Sequence, residues 1–365
     1  MTVFSPLNPP LQRRGSRGRW ALAALLALTT GCAQPQTGVT PPAQVTPPVD
    51  QPITQPIPPA ELRLSAQPGR LVFSGTRTGD GAGASAVQTV TLQNGGDVAV
   101  RLTGITLGPG AAFGLVSPPA FPLTLAAGAR LSLNVRLLPG SSTGVLNATL
   151  RAVGDSAVGG VDLTELVGLR AAGLEGNNEP TLKQIVDALG HPVNVGGSEL
   201  ILSTGAAPIG DEVVAPLFVR ASAAAPVTLR PVARYSPDGL SAYGTFVLDG
   251  GAARTQVRGT MGVGGHQTLN PPLTAGSQTT FDPGGQPFGV YLAANGKYPT
   301  QDTFTLDRLN AGPSPVRHAV RAYPLRDRAG QPIPNSYLLG FEPSSNGDYQ
   351  DAVFVLENVR PVPAE

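Results

Sequence analysis

The chain has 365 residues, of which 25 are basic and 24 acidic, giving a formal charge of +1 with only 13% charged side chains. Basic residues neither abound nor cluster enough to make a face for nucleic acid, and a single cysteine can form no disulfide within the molecule. Glycine at 46 and proline at 38 make the chain turn-rich and helix-poor, which predicts a mainly all-β fold held by packed cores. All seven tyrosines lie between Tyr235 and Tyr349, and the only tryptophan is Trp20. That asymmetry predicts two folded parts.

At the start, Arg13, Arg14, Arg17 and Arg19 precede an apolar run from Trp20 to Leu28, then Thr29-Thr30-Gly31-Cys32. A charged segment, a short apolar segment and small residues are the order of an export signal. The run is too short to span a bilayer, which takes about 20 apolar residues. Leu28-Thr29-Thr30-Gly31-Cys32 resembles the lipobox of bacterial lipoproteins, with Thr29 where that family usually carries Leu. The resemblance implies cleavage after residue 31, acylation of Cys32 and a lipid anchor in the cell envelope, at the outer membrane or the cell surface. Removing residues 1–31 takes away four arginines and no acid, so residues 32–365 carry a net charge of −3.

From Ala33 to Ala60 the chain holds nine prolines and one charged residue, Asp50. Such composition favours extended polyproline II at about 3.1 Å per residue, so residues 32–60 are expected to form the acylated cysteine and a tether.

Residues 61–172 read as short strands between turns. Val87–Gln93 nearly alternates, Asn94-Gly95-Gly96-Asp97 turns, and Val98–Leu102 follows, which predicts a hairpin. Leu131–Leu137 and Gly144–Arg151, joined through Pro139–Thr143, predict a second. Strands so spaced suggest a β-sandwich. The stretches Leu71-Val72-Phe73, Val90–Asn94, Ile105-Thr106-Leu107, Phe113 and Leu125–Gly128 resemble the immunoglobulin-like domains of the abnormal-spindle and hydin type, found in bacterial surface proteins as the choice-of-anchor D domain. That resemblance implies a fold and no chemistry.

Residues 173–365 are expected to form a second β-rich domain with one short helix. Asn178 is a candidate cap and Pro180 suits the first turn; Leu182, Ile185, Val186 and Leu189 share a face before Gly190 stops the helix. Strands are predicted at Glu212–Arg220, Pro226–Arg234, Ser241–Leu248, Gly289–Leu292, Val316–Tyr323, Ser336–Phe341 and Ala352–Val359, the last with apolar residues on both faces.

Few residues point to chemistry. Gly140-Ser141-Ser142-Thr143-Gly144 matches the pattern of a serine-hydrolase elbow but turns between two predicted strands, and Gly79–Gly83 resembles a phosphate cradle with no helix after it. His191, His266 and His318 have no metal-ligand spacing. A hydrolase would need a paired acid and base, for which Asp211, Glu212 and Glu342 are the candidates. The terminal stretch Gly340-Phe341-Glu342, then Asn346-Gly347-Asp348-Tyr349-Gln350-Asp351-Ala352-Val353-Phe354, resembles the C-terminal signature of a family of secreted bacterial domains, with Pro343 where an Asp is usual. Glu342, Asn346, Asp348 and Asp351 offer the hard oxygens calcium prefers; the alternative is a solvated acidic turn. The expectation is a surface-anchored, non-catalytic lipoprotein that interacts with envelope proteins or glycans. A glycan-binding module resting on Tyr291, Tyr298 and Tyr349 is the second reading, and an envelope hydrolase the third.

Overall fold

The computed structural model describes residues 63–77, 85–110, 112–155, 159–174 and 176–362, all of which fall in one compact unit. Cys32, the export signal, the tether and the Gly79–Gly83 loop lie outside the described residues. Among the described residues no helix is long and apolar enough to cross a membrane.

Nine strands come first: β1 (Leu64–Gln67), β2 (Arg70–Thr76), β3 (Gln88–Asn94), β4 (Val100–Gly108), β5 (Phe113–Val116), β6 (Leu123–Leu125), β7 (Arg130–Leu137), β8 (Gly144–Gly154) and β9 (Gly160–Ala171). They make two sheets, ordered β1-β3-β7-β5 and β2-β9-β8-β4-β6, with β2 and β9 parallel and the other pairs antiparallel. Val90, Leu92, Leu133 and Val135 of the first sheet meet Phe73, Leu102, Leu150 and Leu166 of the second in one core. This is the expected immunoglobulin-like sandwich.

Neither expected hairpin forms. In each pair the two strands belong to different sheets, because alternation demands only a buried face, and a strand across the core satisfies that as well as a neighbour in the plane. Side chains hold both crossings. Asn94 is fully buried; its Nδ2 donates to the carbonyls of Val98 (2.7 Å), Leu125 (3.0 Å) and Ala126 (3.1 Å), while its Oδ1 accepts from Gly96 N–H (3.1 Å). Buried Arg170 of β9 donates to the carbonyls of Leu138 (2.6 Å) and Ser142 (2.7 Å) and clamps the other crossing. The Gly140–Gly144 stretch is therefore an arch that enters a strand. Asn94→Ala leaves buried carbonyls without donors and is expected to cost about 1–3 kcal/mol, read as a lower urea midpoint with an unchanged slope. No change in midpoint would show that the crossing from β3 to β4 holds without the Asn94 side chain.

After the sandwich come a short 3₁₀ turn at Gly176–Asn178 and helix α1 (Leu182–Leu189). The cap is Thr181, in a capping box with Gln184, and Asn178 sits in the turn before it. Gly190, at φ +83°, ends the helix in the left-handed conformation that glycine adopts without strain. The strands that follow are β10 (Leu217–Arg220), β11 (Val227–Arg234), β12 (Ser241–Asp249), β13 (Ala252–Met261), β14 (Thr268–Leu269), β15 (Thr280–Phe281), β16 (Gly289–Leu292), β17 (Thr303–Phe304), β18 (Val320–Arg326), β19 (Pro332–Phe341), β20 (Ala352–Glu357) and β21 (Val359–Val362). β13 carries no clear apolar alternation because it lies at a sheet edge, paired along its length only with β12, and most of its first seven residues are exposed.

The order β14-β11-β20-β19-β18 puts β20 at the middle of the largest sheet. Its alternation serves two cores. Val353 and Val355 pack with Leu182, Ile185 and Val186 of α1 and with Val167 and Leu169 of β9, so the sandwich and the sheet share a core. Ala352, Phe354 and Leu356 face the other way, onto Phe218, Tyr243 and Val290. The smaller sheet β13-β12-β16-β17 closes that side.

Candidate metal centre

The loop 342–351 joins β19 to β20, whose last ladder pair is Phe341 with Ala352. Glu342 folds it. One carboxylate oxygen accepts from Ser344 N–H (2.9 Å), and the other from Gly347 N–H (2.7 Å) and Asp348 N–H (2.9 Å). Gly347 at φ +86° permits the tight return. Tyr349 then points into the molecule, its hydroxyl donating to His318 carbonyl (2.7 Å) and its ring lying 4.7 Å from the Arg321 guanidinium.

This geometry brings together the acids that the sequence singled out. One carboxylate oxygen each from Glu342, Asp348 and Asp351 lies within 4.8 Å of the others, and the three residues are 0%, 2% and 6% exposed. Two ligands on opposite sides of a calcium ion, at 2.3–2.6 Å each, stand roughly 4.6–5.2 Å apart, so the spacing fits one coordination sphere. Asn346 joins through its Nδ2, which donates to Asp348 Oδ2 (2.7 Å). Asp348 Oδ1 and Asp351 Oδ2 are buried with no hydrogen-bond partner. A buried anionic oxygen without a donor is unstable unless a proton or a cation meets it.

The electrostatics agree. Burial, then the charge of Glu342, pushes the Asp348 carboxyl up to about 8, although Asn346 pulls the other way. Asp351 is driven well above the carboxylate range by burial and by the charges of Asp348 and Glu342, against a hydrogen bond from Tyr298.

The sequence did not reveal a fourth acid. Glu179, just before α1, accepts from Gln350 Nε2 through Oε2 (2.9 Å) and from Gln267 Nε2 through Oε1. Gln350 Nε2 also lies 3.4 Å from Asp348 Oδ2. Residues 171 positions apart meet here, and no local spacing announces such a contact.

Asp211, Glu212 and Glu342 have separate partners. Asp211 pairs with Arg326 (3.0 Å), whereas Glu212 accepts from His318 Nε2 (2.9 Å) and from Arg321 Nη1. His318 Nδ1 lies 3.0 Å from Asp307, beside a pocket of 350 Å³ lined by Val213, Pro216, Leu306 and Val320. The other histidines also have their own partners, His191 at Arg326 carbonyl (2.8 Å) and His266 at Asp238 (3.3 Å). Tyr291 and Tyr349 are buried and offer no face for a sugar ring to stack on.

No protein-family model and no curated protein matches the sequence. Among solved structures, the chain is similar to the ASH/PapD-like domain of human CEP192 (PapD-like domain 7), at 15% identity over 36% of this chain and 99% of that one, with a TM-score of 0.24. A likeness that slight carries no functional argument.

Proposed function

We propose that this chain is a lipid-anchored, non-catalytic lipoprotein of the bacterial cell envelope, whose β-rich body serves in structure or interaction and is braced by calcium. The buried loop of Glu342, Asp348 and Asp351, with two carboxylate oxygens lacking donors, carries the calcium part. Carboxylate oxygens are hard ligands, and extracellular calcium sites work at about 10⁻⁴–10⁻³ M. The anchor rests on the resemblance of Leu28–Cys32 to a lipobox, on the arginines before it and on the proline-rich stretch after it. An acylated cysteine bearing more than one chain attaches stably, since each buried methylene contributes about 0.8 kcal/mol.

Two measurements test the two parts. Isothermal titration of the purified chain with calcium is expected to show one site filling by the millimolar range. Heat that never exceeds dilution up to that range would refute calcium. Cys32→Ser is expected to move the protein from the membrane to the soluble or extracellular fraction, and a variant that fractionates with the membrane like the wild type would refute the anchor.

A further inference from the structure

We infer that the cation held by the terminal loop also locks the joint between the sandwich and the β-rich part that follows it, with Glu179 as the positioning residue that carries the coupling. This rests on the calcium reading above. The joint is the segment between the end of β9 at Ala171 and the start of α1 at Leu182. It folds on itself: Ala172 N–H and Gly173 N–H both donate to Asn178 carbonyl (2.8 and 3.1 Å), and Glu179 N–H donates to Gly176 carbonyl (3.0 Å).

From this segment Glu179 reaches two other parts of the chain. Gln267, just before β14, holds one of its oxygens, and Gln350, inside the acidic loop, holds the other. Next to Gln267, Leu269 N–H donates to Ser74 Oγ on β2 (2.7 Å), so the same contact zone touches the sandwich directly. The Gln350 amide lies between Glu179 and Asp348. Both carbonyl ends, Gln350 Oε1 and Gln267 Oε1, are buried without hydrogen-bond partners, so only the donor ends orient these amides.

Charge supplies the coupling. Glu179 stands close enough for Asp348 and Asp351 to feel its negative field. Without a cation, the negative charge that the loop carries repels Glu179, the acid on a separate segment, across the Gln350 amide. Repulsion therefore loosens the joint. A divalent cation on Asp348 and Asp351 cancels two of the loop's negative charges, which weakens the repulsion on Glu179 and favours its hold on Gln350. Occupancy of the loop and order of the joint then favour each other, and such coupling is reciprocal.

The test uses residues 32–365 as one chain, as wild type, Glu179→Gln and Glu179→Asp, with calcium as the ligand. Amide hydrogen exchange across 172–179 is expected to slow by roughly 5–150-fold when calcium is added to the wild type, the usual range of coupling between sites. In E179Q calcium still binds by titration calorimetry, its Kd rises by the factor that measures the coupling, and the slowing at 172–179 is lost. E179D, which keeps the charge, restores part of it. If the wild type binds calcium but exchange at 172–179 does not respond, the inference falls and the calcium site stands. If the wild type binds no calcium, both fall. Equal calcium affinity in wild type and E179Q would also overturn the coupling.

Discussion

Glu212→Ala is expected to lower the unfolding free energy by about 3–5 kcal/mol, the range seen when one partner of a buried ion pair is removed. Arg321 in β18 has no exposed side-chain surface, and Glu212 is only 3% exposed. Nη1 of Arg321 donates to Glu212, Nη2 donates to the carbonyls of Ser203 (2.9 Å) and Gly205 (2.8 Å), and the guanidinium lies over Tyr349. Glu212 also accepts from His318 Nε2 (2.9 Å) and from Ile209 N–H (3.0 Å). Without Glu212 a buried cation retains only neutral carbonyls and a ring face. Urea unfolding measures the loss, and a change below about 1 kcal/mol would mean that water reaches Arg321 and screens it.

The same cluster sets a pH dependence. Burial opposes a charge on His318, but the hydrogen bonds to Asp307 and Glu212 and their negative charges outweigh it and raise the imidazole to about 9. A histidine whose pKa is higher when folded stabilises the fold fully below its unfolded value, near 6.5, and that contribution is lost as the pH rises from there through about 9. At 1.36 kcal/mol per pKa unit the loss is on the order of 3 kcal/mol. In Glu212→Ala the slope between pH 6.5 and 9 is expected to flatten. A wild type equally stable at both ends of that window would contradict the paired histidine.

Asp351→Asn is expected to change sign with calcium. In chelator the variant melts at or above the wild type, because burial and the neighbouring acids make a charge on Asp351 costly in the folded state, and Asn keeps the shape without that cost. With calcium at 100 times the wild-type Kd, the wild type gains about 2.7 kcal/mol, and the variant, lacking a charged ligand, gains much less. For a folded unit of this size that is a shift of roughly 4 °C, so the order of the two melting temperatures reverses. Differential scanning calorimetry in chelator and in calcium checks it. Parallel responses of the two proteins would make Asp351 a hydrogen-bonded turn residue rather than a ligand.

Several features of this fold were legible because they depend on neighbours in sequence. The period of two in Val353, Phe354, Val355 and Leu356 showed a strand with two apolar faces, and β20 is central with a core on each side. Leu182, Ile185 and Val186 marked a helix face, and Gly190 its end. The crowding of Glu342, Asp348 and Asp351 was visible too, since a loop between two paired strands keeps residues nine apart in space. The cap was misplaced by three residues, because Asn178 and Thr181 have equivalent capping chemistry and only the backbone selects between them.

Sequence alone determined the all-β class, the sites of most strands, the short helix and the acidic loop, since composition, periodicity and turn residues act over a few positions. It did not determine which strands pair. Alternation specifies that a face is buried but not against what, and Asn94 and Arg170 turn two apparent hairpins into crossings between sheets. Only the tertiary structure brought Glu179 and Gln267 to the acidic loop and assembled Glu212, Arg321, His318 and Asp307, across separations of 88 to 171 and 11 to 109 residues respectively. Charge interactions are set by distance in space and by burial, and both arise when the sheets close around a shared core.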